Sequence, residues 1–238
     1  MNEENLYRMI REKEGAASLM FPALMRKVYL WMTLALVITG FTAWGVASNP
    51  GLIYSIVTNR ILFWGLVIAE LALVWIISGA TNRLSLTTAT LLFVLYSIIN
   101  GTTLSVIFLA YTLTSIANVF FITAGTFAVM AFIGYTTKTD LTSLGKILFM
   151  ALIGLILATI VNIFMGSSML NMIVSYAGVV IFVGLTAYDS QKIKNMLYEA
   201  DNMDDSAQKI ALLGSLTLYL DFINLFLYLL RIFGNNRD

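Results

Sequence analysis

The sequence predicts an all-α integral membrane protein that folds as a bundle of seven transmembrane helices. Of its 238 residues, 59% are hydrophobic and only 11% are charged, whereas a soluble domain carries about 25% charged residues. The mean hydropathy is +0.87. The apolar residues form continuous runs of about 20, the length that crosses a hydrocarbon core of ~30 Å as a helix. Strands of a membrane barrel would instead alternate apolar and polar residues.

Runs 1 to 3 cover residues 28–47, 61–79 and 86–111. Residues 1–26, which have mixed charge, precede run 1 and are predicted to form a cytoplasmic N-terminal tail. Run 1 has no convincing small-residue cleavage site, so we interpret it as a retained span and not as a signal peptide. Both prolines, Pro22 and Pro50, lie outside the runs. This favours uninterrupted helices, because proline removes a backbone donor and kinks a helix interior.

Runs 4 to 7 cover residues 116–136, 147–165, 170–188 and 210–233. The longest polar connection, residues 189–209, is too short for a domain. Residues 27–234 are therefore predicted to form one transmembrane domain, followed by a short C-terminal tail at 235–238.

The basic residues indicate the orientation. If the N-terminus is cytoplasmic, only Arg60, Arg231 and Arg237 of the 14 Lys and Arg residues lie on the far side. Membrane proteins concentrate Lys and Arg in cytoplasmic loops. The sequence therefore predicts a cytoplasmic N-terminus and, with seven spans, a C-terminus on the opposite side.

Every Lys and Arg lies outside the seven apolar runs or at their ends, so only acidic residues intrude into them. Glu70 lies in the middle of run 2, Asp221 lies in the middle of run 7, and Asp189 closes run 6. An ionised carboxylate at the bilayer centre costs about 2.5–3.5 kcal/mol even on lenient scales. We therefore expect Glu70 and Asp221 to face the bundle interior, paired or protonated.

Run 7 carries its polar residues on one helical stripe, since their spacing follows the 3.6-residue period. The polar stripe consists of Gly214, Thr217, Asp221, Asn224, Tyr228 and Arg231. A hydrogen-bonded seam between helices, worth ~0.6 kcal/mol per contact, would explain Thr and Asn alone. An Asp at mid-membrane favours a functional stripe. In run 3, Tyr96, Asn100 and Thr103 share a face, and there a contact that locks two helices together is favoured. Gly178 and Gly184 in run 6 are interpreted as sites of close helix packing.

Several classes of function are disfavoured by composition. Cysteine and histidine are both absent, which excludes disulfides, thiol chemistry and histidine-based triads or metal sites. The net charge of +1 gives no field that would attract nucleic acid. We expect a protein that is not an enzyme and has no cofactor.

Four segments resemble the signatures of the Bax inhibitor-1 family, also called the transmembrane Bax inhibitor motif family. They are "MRKVYLWMTLAL", "GYTTKTDLTSLGK", "TAYDSQKIK" and "SLTLYLDFINLFLYLLRIFG". The resemblance extends from about residue 24 to residue 234, and the last segment is the most specific. It implies a fold in which six helices wrap a central C-terminal helix. It also implies a bacterial member of the family, located in the inner membrane.

The resemblance implies a pair of aspartates that share a proton and gate a pH-dependent calcium leak. Residue by residue, that pair is Asp189 and Asp221, which are also candidate calcium ligands. Arg83 is the nearest candidate for an arginine that latches onto the first aspartate in the closed form. The predicted ion path comprises Glu70, Asn100, Asn224, Tyr228 and Arg231. Calcium is the expected permeant ion.

The depth of the two aspartates raises a geometric question. Asp189 closes run 6 near the cytoplasm, while Asp221 lies about 11 residues into run 7 from the same side, or roughly 16 Å. They can touch only if helix 6 continues inward of its apolar run or helix 7 begins before its own.

Two other functions stay open. Bacterial relatives in this family are associated with restraining a membrane-bound ATP-dependent protease, which the N-terminal tail could engage. An intramembrane aspartyl protease also needs two aspartates on adjacent helices. Such proteases carry Gly-x-Gly-Asp at the second aspartate, where this chain has "LYLD", and its one Pro-Ala-Leu, residues 22–24, precedes both.

Overall fold

The computed structural model describes the backbone of residues 3–80, 83–199 and 205–235, and the side chains of these ranges from residue 21 onward. Within these ranges the chain consists of helices and short connections, and no strand is present. The helices are α1 (Glu3–Ala47), α2 (Pro50–Thr58), α3 (Arg60–Gly79), α4 (Leu86–Leu104), α5 (Ile107–Ala110), α6 (Leu113–Thr136), α7 (Thr142–Met165), α8 (Ser168–Tyr198) and α9 (Asp205–Phe233).

Seven stretches of helix in the described part of the chain are long and apolar enough to cross a membrane. They are α1 from Phe21 onward, α3, α4 together with α5, α6, α7, α8 and α9. The prediction of an all-α, multi-span membrane protein is confirmed. The short helix α2 connects the first two spans, and Asn49 begins it by accepting hydrogen bonds from the N–H groups of Gly51 and Leu52.

The ends of three helices beyond their apolar runs bear on the predicted tail and the carboxyl pair. Helix α1 begins at Glu3, so much of the predicted tail is helical, and Pro22 lies inside α1 and not before it. Helix α8 continues to Tyr198, so Asp189 does not close it as predicted. Helix α9 begins at Asp205. These extensions carry polar residues and therefore do not register as apolar runs. They also resolve the difference in depth between the two aspartates, because both helices continue past the apolar boundary.

The C-terminal helix α9 is the central helix of the bundle. In its most apolar window 67% of the residues are buried, compared with 39% for α8 and less for every other span. Helix α9 packs mainly against α1, α4, α6 and α8. Helix α3 packs mainly against α4, and α7 mainly against α8. The prediction of a central last helix is confirmed, although four helices, and not six, form its main enclosure.

Glycines allow helix α8 to approach its neighbours closely. A Cβ atom on Gly178 would lie 2.6 Å from the ring of Tyr228 on α9, and one on Gly184 would lie 2.6 Å from Leu148 on α7. On the third side, Gly134 of α6 faces the backbone of Ala187. The interpretation of Gly178 and Gly184 as packing positions is confirmed.

Candidate functional site

A cavity of about 900 Å³ lies between α7, α8 and α9, and we call it the central cavity. Most of its lining is apolar, but the side chains of Asp189 and Asp221 both reach it. The apolar lining includes Phe149, Met150, Leu152, Ile156, Phe182, Leu185 and Leu220. An apolar wall around two carboxyl groups leaves few polar partners for either charge.

Asp189 and Asp221 form a carboxyl pair, because their side chains lie within hydrogen-bonding reach of each other. Asp221 is only 4% exposed, and Asp189 is half-buried. With both groups ionised, the buried Oδ2 of Asp221 has no hydrogen-bond donor among the residues that the structure describes. A proton held between the two carboxyls would supply that donor. Two adjacent carboxylates cannot both ionise cheaply, and they titrate as one unit.

Four of the six residues of the polar stripe of α9 face the central cavity. Thr217, Asn224 and Tyr228 line it together with Asp221. Tyr228 is held between two partners, since its ring stacks on Phe182 with centroids 5.8 Å apart and the guanidinium of Arg231 lies 5.4 Å from its centroid. The predicted inward orientation of these positions is confirmed.

Two lysines at the cavity were not identified from the sequence. Lys146 of α7 and Lys192 of α8 line the end of the cavity nearest Asp189. Lys192 interacts electrostatically with Asp189, and its Nζ lies 5.8 Å from the ring centroid of Tyr188. The three-residue spacing from Asp189 could have indicated Lys192, because such residues share a helix face. Lys146 could not have been found this way, because its place depends on how α7 packs.

Arg83 does not reach the carboxyl pair in this structure. It is exposed in the turn that follows α3. Among the described residues no hydrogen bond or ion pair joins it to Asp189. The reason lies in the packing, because α3 lies against α4 whereas α8 lies against α6, α7 and α9. The predicted latch contact is therefore not formed here.

Glu70 and Asn100 belong to a separate hydrogen-bond network on another face of α9. Asn100 Nδ2 donates to Glu70 Oε2 over 3.1 Å, and the Tyr219 hydroxyl donates to Asn100 Oδ1 over 2.8 Å. The Tyr219 oxygen also lies 2.7 Å from Thr39 Oγ1. Neither Glu70 nor Asn100 is among the residues that line the central cavity. The interhelical contact predicted for run 3 is confirmed, but the structure does not join this network to the carboxyl pair.

The network also shows how Glu70 is accommodated in a lipid-facing helix. Its carboxylate turns toward α4, as expected for an acid in the membrane. The side chain of Thr103 on α4 also lies within hydrogen-bonding reach of the Glu70 carboxylate. Tyr219, which connects α9 to this network, had no distinguishing signal in the sequence because it lies off the polar stripe.

Arg231 lies near the C-terminal end of α9. Besides stacking on Tyr228, it lines a small polar cavity of about 340 Å³. The other lining residues are Tyr111, Ser168, Asn171, Met172, Ser175, Tyr176 and Ile232. Of the five residues predicted to form the ion path, Asn224 and Tyr228 line the central cavity, and Arg231 contacts Tyr228 from beyond it.

The fold and the site define a class: a multi-span helical membrane protein with a carboxyl pair inside its bundle. The model of the family described as "Inhibitor of apoptosis-promoting Bax1" matches residues 22–238. The chain belongs to this family, the Bax inhibitor-1 family, as the sequence motifs predicted.

Bacterial relatives match over nearly the whole chain. The chain is 53% identical over 214 residues to the Inner membrane protein YbhL of Escherichia coli K12, covering 90% of this chain and 92% of that protein. It is 47% identical over 212 residues to a protein of Borreliella burgdorferi, covering 89% and 91%. It is 45% identical over 214 residues to protein RP147 of Rickettsia prowazekii, covering 90% of each.

Proposed function

We propose that this protein is a non-enzymatic, pH-sensitive calcium leak pathway gated by Asp189 and Asp221. The observation that carries the proposal is the carboxyl pair itself. Two carboxyl groups lie within hydrogen-bonding reach in an otherwise mostly apolar cavity, and Asp221 Oδ2 has no other donor among the described residues. A site of this kind changes its internal charge when it loses one proton.

The direction of the pH response follows from electrostatics. At low pH the shared proton lets one carboxyl donate to the other, and the two helices stay together. As the pH rises the proton leaves, the two negative charges repel each other, and their oxygens become available to a divalent cation. Thr217 and Asn224 add neutral side-chain oxygens to the same cavity. Ca²⁺ prefers six to eight oxygen ligands, so this set suits an ion in passage better than a resident ion.

The proposed location is the bacterial inner membrane, with the N-terminus in the cytoplasm. The name of the Escherichia coli relative, Inner membrane protein YbhL, supports the location. The excess of Lys and Arg on one side of the seven spans supports the orientation. In this arrangement Lys146, Lys192 and Asp189 lie toward the cytoplasmic end of the central cavity.

Calcium flux into liposomes that contain the pure protein tests the proposal. Flux is measured between about pH 5.5 and pH 8 for the wild type, Asp221→Asn, Asp189→Asn and the double variant. Because loss of a single shared proton opens the proposed path, flux should rise by at most about tenfold per pH unit. Each single variant should flatten the profile, and the double variant should add little because the two groups act as one unit.

Asp140→Asn is the matched control, because it makes the same chemical change in the exposed loop between α6 and α7. Hydrogen bonds from the Thr142 side chain and backbone N–H hold the pKa of Asp140 below its usual range. Asp140 therefore stays ionised throughout the assay, and its variant should keep the wild-type slope. If Asp189→Asn and Asp221→Asn also keep that slope, the pair is only a structural hydrogen bond and the gating mechanism is wrong.

A second candidate function, modulation of a membrane-bound ATP-dependent protease, is favoured by the N-terminal part of α1. The helix begins at Glu3, whereas its membrane-compatible stretch begins at Phe21. This helical extension offers a partner a surface outside the lipid. Deletion of residues 3–20 should abolish any change in proteolysis rate caused by co-reconstitution with such a protease, while calcium flux persists. If the rate of proteolysis is still modulated to the same extent after the deletion, the extension does not have this role.

A further inference from the structure

A second hollow, on a different side of α9, is a groove between α1 and α6 with a volume of about 600 Å³. We call it the α1–α6 groove. Its lining residues are Pro22, Met25, Arg26, Tyr29, Met32, Thr33, Leu36, Phe120, Ala124, Phe127, Ala128, Ala131, Phe132, Tyr135 and Phe222. The groove is open to the outside of the bundle. Arg26 on one rim and Ala128 on the other are both exposed.

The dimensions of the groove match one leaflet of a bilayer. Its lining along α1 runs from Pro22 to Leu36, and the ten residues that separate Leu36 from the charged Arg26 rise about 15 Å. Half of a hydrocarbon core of ~30 Å has the same length. Both walls belong to membrane-compatible helices, so the groove lies at the depth of lipid chains.

The groove is too small to enclose a transmembrane helix of another protein. A helix about 10 Å in diameter and 15 Å long fills on the order of 1,200 Å³, about twice the volume of the groove. A flexible hydrocarbon chain is narrower than a helix and can lie along the aromatic side chains at the bottom of the groove. The small side chains of Ala124 and Ala128 keep one wall open for it.

One end of the groove carries positive charge. The guanidinium of Arg26 is exposed at the rim. Nearby, Lys194 Nζ donates to the carbonyl of Tyr135 over 2.8 Å and lies 5.8 Å from the centroid of its ring. No acidic residue lines the groove in the part of the chain that the structure describes. Arginine is a planar donor that suits phosphate oxygens, so the end of the groove complements an anionic phosphate.

We propose that the α1–α6 groove binds an anionic phospholipid, with one acyl chain along the groove and the phosphate on Arg26. The bound chain rests on Phe222, whose ring packs against Phe120 and Phe127 at centroid distances of 5.4 and 5.5 Å. Phe222 directly follows Asp221, so an occupied groove supports α9 next to the carboxyl pair. This binding site does not depend on the proposed calcium leak.

Native mass spectrometry of the pure full-length protein in detergent tests the site. Dioleoylphosphatidylglycerol and dioleoylphosphatidylcholine, which carry the same chains, are titrated in parallel. The wild type should hold one phosphatidylglycerol about tenfold more tightly than phosphatidylcholine, because both lipids carry the phosphate but the choline cation of phosphatidylcholine repels the Arg26 guanidinium. Arg26→Gln should remove the preference, and Ala128→Phe should prevent tight binding of either lipid by filling the groove.

Matched controls make the same chemical changes outside the groove. Arg60→Gln removes an exposed arginine at the opposite end of the bundle, and Ala72→Phe enlarges an exposed alanine on α3. Both should bind lipid as the wild type does. Equal affinity for the two lipids in the wild type, or equal loss in Arg26→Gln and Arg60→Gln, would overturn the proposal. So would an Ala128→Phe variant that keeps its lipid but changes the fraction of dimers, because the groove would then be an interface between two copies.

Discussion

The hydroxyl group of Tyr219 is expected to stabilise the bundle through the network that connects α9 to α1 and α4. Tyr219 is fully buried, and its oxygen lies 2.8 Å from Asn100 Oδ1 and 2.7 Å from Thr39 Oγ1. Tyr219→Phe removes this oxygen but keeps the ring, whose centroid lies 5.8 Å from that of Phe93 and 5.7 Å from that of Tyr96. The variant therefore isolates the hydroxyl from the packing.

The magnitude follows from counting the groups left without a partner. Thr39 keeps a bond to the carbonyl of Ser97 at 3.0 Å, so Asn100 Oδ1 is the group that loses its donor. One buried polar group without a partner costs about 1–3 kcal/mol, whereas hydrogen bonds between membrane helices average ~0.6 and reach ~1.7 kcal/mol. We expect the free energy of unfolding to fall by about 1.5 kcal/mol, or roughly tenfold in the unfolding equilibrium.

The assay is reversible unfolding in mixed micelles of dodecyl maltoside and sodium dodecyl sulfate, followed by circular dichroism. Tyr54→Phe, at a residue that is 69% exposed, controls for loss of a tyrosine hydroxyl and should change stability by less than about 0.5 kcal/mol. If Tyr219→Phe is no more destabilising than Tyr54→Phe, the network does not stabilise the fold. Because Tyr219 does not line the central cavity, its variant should also keep the wild-type dependence of calcium flux on pH.

Three further predictions test packing, the role of Glu70 and topology. Gly178→Ala should lower the free energy of unfolding by about 1–3 kcal/mol, because the added Cβ would lie 2.6 Å from the ring of Tyr228; Gly40→Ala, with nothing within 4 Å, should not destabilise. Thermal unfolding of both variants and of the wild type measures these differences in stability. Glu70→Gln should leave the dependence of flux on pH unchanged, because Glu70 lies outside the central cavity; an altered profile in the liposome assay would return Glu70 to the ion path. Reporter fusions after residues 26 and 238 should report opposite sides of the membrane. If both report the same side, one of the seven helices does not cross the membrane.

The span number was predictable because it depends on hydrophobicity along the chain, and each span must satisfy its own backbone in lipid. The inward face of α9 was predictable because periodicity places Asp221, Asn224 and Tyr228 on one stripe. The helix ends were not, because α1, α8 and α9 continue into water with polar residues that resemble a linker. The contacts of Lys146 and Tyr219 depend on which helices become neighbours, and no local pattern specifies that.

The three helices that line the central cavity, α7, α8 and α9, are attached to the rest of the bundle to very different extents. Helix α9 is tied to its neighbours through Tyr219, and α8 is tied to α6 by the bond from Ser190 to the Ala131 carbonyl, 2.9 Å long. Helix α7 is only 6% buried in its apolar window. Just before its first turn, the N–H of Leu141 donates to Gln191 Oε1 of α8 over 2.8 Å.

This uneven attachment would allow α7 to move outward by pivoting about its N-terminal end. Displacement of α8 or α9 would break several buried hydrogen bonds. An outward swing of α7 about Leu141 would break the polar contact between Thr159 and Tyr228 and would otherwise exchange protein contacts for lipid contacts. Under the proposed gating mechanism, the bilayer pressing on α7 would help to keep the cavity closed. Membrane thickness and lateral tension would then act on the same opening as the proton on the carboxyl pair.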